Sequence, residues 1–145
     1  FKSIANMLGS NKVIFSDEPI DRNSGGWNDY AFVDPGERLQ AVYIQKATLD
    51  AWSGGGDKWM ATLAVVHEIS HKVLQTKDAV YDYSGLKPGG VFTAKHALVN
   101  ADSWAYFAAD LNGCLTEAKR AAYYKVPARF ETYYRDHEAA ATPNL

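Results

Sequence analysis

The sequence predicts an α+β fold. Three observations carry this. Short apolar runs separated by turn residues fill the N-terminal third. Longer stretches with helical periodicity fill the rest. The two kinds follow one another instead of alternating. With 145 residues, 47% of them hydrophobic, the chain is long enough to bury a core, and one domain over residues 1–145 is expected.

In the first third, "KVIFS" (12–16) and "DYAFV" (29–33) read as strands, divided by the Asp-, Pro-, Ser- and Gly-rich "DEPIDRNSGG" (17–26). Pro35 and Gly36 make "DPGE" (34–37) a turn, and "AVYIQ" (41–45) reads as a further strand. We expect this strand at a sheet edge, where an extended peptide could pair with it. "KATLDAW" (46–52) suits a short helix, which "SGGG" (53–56) breaks. Asp57 is a suitable N-cap for the next helix, over 58–74, which contains no Gly or Pro. Apolar residues line most of its sides (Trp59, Leu63, Val66 and Val73 on one; Val65 and Ile69 on another; Met60, Ala64 and Leu74 on a third), so it should be central and buried. Residues 75–92 read as a loop. Thr93 can cap a helix running to Leu111 and closed by Asn112–Gly113, with Ala97, Ala101, Trp104, Ala108 and Leu111 in a stripe that also contains Asn100. A further helix is expected over about 116–125; Pro127 then interrupts, and a last helix is expected to follow to about Ala140.

The net charge of −2, with no basic cluster, gives no electrostatic support for a nucleic-acid partner. The longest aliphatic stretch, 60–66, is too short for a membrane span. A single cysteine, Cys114, excludes an internal disulfide and is expected as a small packed residue. The first residues show no signal-peptide pattern, and the chain starts at Phe1, which reads as a domain excised from something longer.

The chemistry concentrates in "VVHEISHKVLQTKDAVY" (65–81). His67 and His71 stand four apart on a predicted helix, so both imidazoles leave one face and can reach one Zn²⁺. Glu68 can approach a zinc-activated water, which completes the HExxH pattern. A catalytic zinc needs a third protein ligand and an open position. The long metzincin motif would need glycine at 74 and histidine at 77, where Leu74 and Lys77 stand. Asp78, just past the helix, and Glu117, the first glutamate after Glu68, are the candidates.

"QTKDAVY" (75–81) resembles the Thr-x-Asp-x-x-Tyr element of the aspzincins, the deuterolysin-like M35 zinc metallopeptidases. "KHALVNADSWAYFAADL" (95–111) resembles that family's helix with an Asn-Ala-Asp-Ser core, and the likeness spans roughly residues 60–111. The resemblance implies a zincin-like fold, a zinc held by His67, His71 and Asp78, Glu68 as general base, and Tyr81 as an aid to catalysis at the oxyanion. It implies a protein or peptide substrate. Its likeness to disulfide-free bacterial members implies action outside the producing cell, as an exported protease or toxin module, with a possible inhibitor or immunity protein. A catalytically silent, metal-stabilised binding module is the alternative from another class. Two positions depart from the family pattern: Gln75 and Asp82 stand where glycine is usual. Asn100, Asp102 and Thr76 are candidates to support the ligands from behind. Asp102 can serve a histidine N–H or hold the 75–92 loop, and a buried Asn100 needs a partner. His96 and His137 are expected at the surface.

Overall fold

A computed structural model describes residues 1–16, 30–34, 37, 38, 40–53 and 58–131. The chain divides into two compact units, Phe1–Gln75 and Thr76–Leu145.

Among the described residues, the first unit has a three-stranded mixed sheet and three helices. The strands are β1 (Ile14–Ser16), β2 (Ala31–Phe32) and β3 (Ala41–Ile44); the helices are α1 (Lys2–Leu8), α2 (Lys46–Ser53) and α3 (Lys58–Leu74). The sheet order is β1-β3-β2, with β1 parallel to β3 (Ile14 opposite Ala41) and β2 antiparallel to it (Ala31 opposite Ile44). This corrects the expectation of an edge strand at 41–45. Both hydrogen-bonding sides of β3 are already used, so a peptide cannot add to it. Its two faces are covered as well: Ala41, Val42 and Ile44 are all buried. Ile4, Ala31, Val42, Ile44, Ala64 and Ile69 form the core, flanked by Met7, Val65, Val66 and Val73. Helix α3 packs against α1, α2, β2 and β3, which makes it the central helix of this unit. Helix α1 has no counterpart among the sequence expectations. It is seven residues long and holds its place by burying Ile4 in the core.

A polar tether joins α3 to the chain before β3. Lys72, whose side chain is 4% exposed, donates from Nζ to the Asp34 carbonyl at 2.6 Å and lies 3.8 Å from Glu37 Oε2. Tyr43 donates its hydroxyl to Glu37 Oε1 at 2.8 Å. The Glu37 N–H also donates to the Asp34 carbonyl at 3.2 Å, in keeping with a turn over 34–37, although Pro35 and Gly36 lie outside the described residues. The loop over 17–26, Asp57 and most of "SGGG" also lie outside them.

The second unit carries α4 (Ala94–Leu98), α5 (Ala101–Leu111) and α6 (Glu117–Tyr123). The helix expected over 93–111 is therefore two. Asn100 interrupts it with extended backbone (φ −97°, ψ 125°) and forms a parallel bridge to Lys77. Bonding to another segment there removes the local helical bonding, and only the tertiary partner reveals that competition. The buried face of α5 is Ala101, Asp102, Ala105 and Tyr106, whereas Leu111 from the expected stripe is 67% exposed. The expected caps at Thr93 and Gly113 are present, and Thr116 adds one that was not expected. Thr93 accepts from the His96 N–H, Thr116 accepts from the Lys119 N–H at 3.2 Å, and Gly113 takes φ +66° after α5. Residues 84–87 lie against 123–125, with Leu86 N–H donating to the Tyr123 carbonyl at 2.8 Å and Lys87 N–H to the Lys125 carbonyl at 3.0 Å. Gly85 is required there: φ is +110°, and a Cβ would sit 2.3 Å from the Lys125 oxygen. The helix expected after Pro127 does not begin by Glu131, and 132–140 lie outside the described residues. Among the described residues, no helix is long and apolar enough to cross a membrane.

Candidate metal centre

The helical phase of α3 brings His67 and His71 onto one face, one turn apart. Their Nε2 atoms lie 3.1 Å apart, and the rings meet edge to face with centroids 4.8 Å apart. Two nitrogens bound to one tetrahedral zinc at 2.0–2.1 Å would be separated by about 3.3 Å. The observed spacing is therefore close to that of a ligand pair before any adjustment. Glu68 follows with its Oε1 3.8 Å from His67 Nε2. His67 and Glu68 are both 8% exposed, so their polar atoms sit where charge is poorly screened by water. Ser70, fully buried beside them, is satisfied by donating to the His67 carbonyl at 2.7 Å.

Helix α3 ends at Leu74, and Gln75 takes the left-handed conformation (φ +55°). This is the position where glycine is usual, and the backbone shows why: a residue without Cβ enters that region freely. Past this turn comes Asp78. One ligand atom each from His67, His71 and Asp78 lies within 4.8 Å of the other two, and these three make up the one group of metal-ligating side chains among the described residues. Glu117 is not in the group; it is exposed in the first turn of α6.

The segment carrying Asp78 and Tyr81 is held by α5 and the residues before it. Lys77 N–H donates to the Val99 carbonyl at 2.7 Å, and Ala101 N–H to the Lys77 carbonyl at 3.0 Å. Asn100 Oδ1 accepts from both Ala79 N–H and Val80 N–H at 3.0 Å, and Asp102 Oδ2 accepts from Asp82 N–H at 2.9 Å. Of the two roles open to Asp102, loop holding is thus present. Asp82, the second residue in place of glycine, does not take a positive φ. Its carboxylate accepts the hydroxyl of Tyr106 instead, an interaction glycine could not supply. Tyr81 is half-buried and stacks on Tyr83, ring centroids 5.7 Å apart. Thr76 is buried, at 4% exposure.

Residues 1–109 match the sequence profile of the lysine-specific metallo-endopeptidases, the aspzincins. The chain belongs to the aspzincin family. It is thereby a member of a metallo-endopeptidase family whose chemistry implies zinc, and the His-His-Asp group offers a donor set suited to that ion. No curated protein and no solved structure matches the chain significantly.

Two sequence expectations lie elsewhere in this aspzincin. Cys114 is exposed, not packed, with its Sγ 3.8 Å from the Asn112 carbonyl. His96 is half-buried: its Nδ1 accepts from the Thr93 N–H at 3.1 Å, and its ring lies against Phe92 and Phe130. His137 lies outside the described residues. Sequence reasoning passed over Tyr106, whose hydroxyl partners Asp82. The missed signal is the pairing of an unexpected acid at 82 with a tyrosine on the buried face of the next long helix.

Proposed function

We propose that this chain is a zinc-dependent endopeptidase with a zincin-like catalytic frame, in which α3 is the active-site helix. His67, His71 and Asp78 would hold the ion. The observation that carries this is the convergence of their ligand atoms, with the Glu68 carboxylate beside His67. When bound, zinc supplies a Lewis acid that polarises a peptide carbonyl and makes water acidic enough to react near neutral pH.

The chain's own residues do the rest. Glu68 accepts a proton from the attacking water and returns it to the amine that leaves, a transfer worth about 10²–10⁴-fold in rate. Its burial excludes competing bulk water and keeps the carboxylate next to the reacting atoms. Tyr81 donates its hydroxyl proton in a hydrogen bond to the substrate oxygen as that oxygen gains charge. The lysine preference carried by the family's description is proposed for this chain as well, and is tested by mapping the cut sites in a denatured protein substrate. Enrichment of lysine next to the cut sites is expected, and cuts without residue preference would refute it.

The decisive experiment on the mechanism is Glu68→Gln. Its zinc content should equal that of the unsubstituted chain, while hydrolysis of a denatured protein falls by about 10²–10⁴-fold. Full turnover in that variant would remove Glu68 as the base. Stoichiometric zinc with no turnover in the unsubstituted chain would favour a metal-stabilised binding module.

A further inference from the structure

Asn100 is fully buried, and its side chain is engaged with backbone from another segment. Ala79 and Val80, whose N–H groups converge on its Oδ1, are the two residues between Asp78 and Tyr81. Both are 0% exposed, so without that oxygen each N–H would be a buried donor with a lost acceptor. Two successive N–H groups aimed at one atom restrict the backbone angles of the link that joins them. The Asn100 amide is itself held, because Nδ2 donates to Ser103 Oγ at 3.0 Å. Glu131 N–H donates to the Ala79 carbonyl at 2.9 Å and closes the other side of the segment. That bond and the bridge at Lys77 are backbone to backbone and can be made by many residue types. The double acceptance at 79 and 80 needs a side-chain oxygen at position 100.

We propose that Asn100 is a positioning residue that presets the backbone of 78–81 before any ion binds. It thereby fixes the spacing of the Asp78 carboxylate and the Tyr81 hydroxyl. The proposal rests on the roles assigned above to those two residues. Asparagine suits the task because it offers a neutral acceptor with two lone pairs and a donor that locks its own orientation.

Two measurements test it. The first is hydrogen exchange on the metal-free chain. The amides of Ala79 and Val80 should exchange on the order of 100-fold or more slowly than in an unstructured chain. Exchange at unstructured rates would overturn the proposal. The second is zinc affinity by competition with a chromophoric chelator. Asn100→Ala should bind zinc about 10–100-fold more weakly. Asn100→Asp keeps an acceptor oxygen in place, with the Ser103 hydroxyl able to turn and donate to it, and should retain zinc affinity near that of the unsubstituted chain. A folded Asn100→Ala with unchanged zinc affinity would overturn the proposal, even with lowered thermal stability, because that is all a structural role predicts. If Asn100→Ala does not fold, the amide exchange of the unsubstituted chain decides. An unsubstituted chain that binds no zinc would refute the metal reading and leave amide protection at 79 and 80 as a separate answer about the clamp.

Discussion

Tyr106 keeps its proton far into alkaline pH. Burial is the main cause, followed by the hydrogen bond it donates to Asp82 and by the negative charges of Asp82 and Asp102. The sign of the consequence follows from linkage. The unfolded chain releases this proton near pH 10, while the folded chain retains it at higher pH. Stability from this phenol is therefore full below about pH 10 and is lost as the pH rises towards its folded value. Tyr83 and Tyr123 are shifted the same way, each chiefly by burial. Urea midpoints measured from pH 8 to 11 should fall above about pH 10, and Tyr106→Phe should flatten part of that slope. An unchanged slope would exclude Tyr106 as a contributor. Asp82 thus gives position 82 a side-chain acceptor, which the Tyr106 hydroxyl meets.

At the level of elements, the end of α3 matters most, because it sets where the chain turns towards Asp78. Gln75 in the left-handed region carries a cost of roughly 1–2 kcal/mol that glycine would avoid, partly offset by the greater freedom of glycine in the unfolded chain. Gln75→Gly should stabilise the fold by about 0.5–1 kcal/mol and leave zinc affinity unchanged. Thermal unfolding with and without zinc checks this, and a destabilised variant would mean that the glutamine side chain contributes contacts of its own. The interrupted helix at Asn100 shows why element boundaries were only partly legible. The apolar stripe from Ala97 to Leu111 is continuous in sequence, and nothing in it marks position 100 as a break. The break comes from Lys77, Ala79 and Val80, some twenty residues upstream. Strand β3 teaches the same lesson: its residues announce a buried strand, but which neighbours cover its two edges is a matter of pairing at a distance.

For the whole chain, zinc should be a linked stabiliser. An ion that binds only the folded state adds RT ln(1 + [Zn]/Kd), or about 4 kcal/mol at a thousandfold excess over Kd. Melting temperature should therefore rise with free zinc and fall on chelation, and Asp78→Ala should lose most of the zinc-dependent gain. If Asp78→Ala keeps that gain, the third ligand is another residue, and Glu117 becomes the next to substitute. Such a measurement reads the ligand set without relying on turnover, so it is independent of the test on Glu68.

Legible in the chain before its fold were the α+β class, the helix carrying His67, Glu68 and His71, the candidacy of Asp78 and Tyr81, and the caps at Thr93 and Gly113. These depend on short-range periodicity and on residue chemistry a few positions apart, which a sequence displays directly. Tertiary structure alone decided that β3 is central, that α1 completes the first core, that Asn100 and Asp102 grip the 77–82 loop, and that Asp82 takes its hydrogen bond from Tyr106. The physical reason is that a buried polar atom must find a partner, and the partner is chosen by where the chain returns in space, not by what stands next to it in sequence.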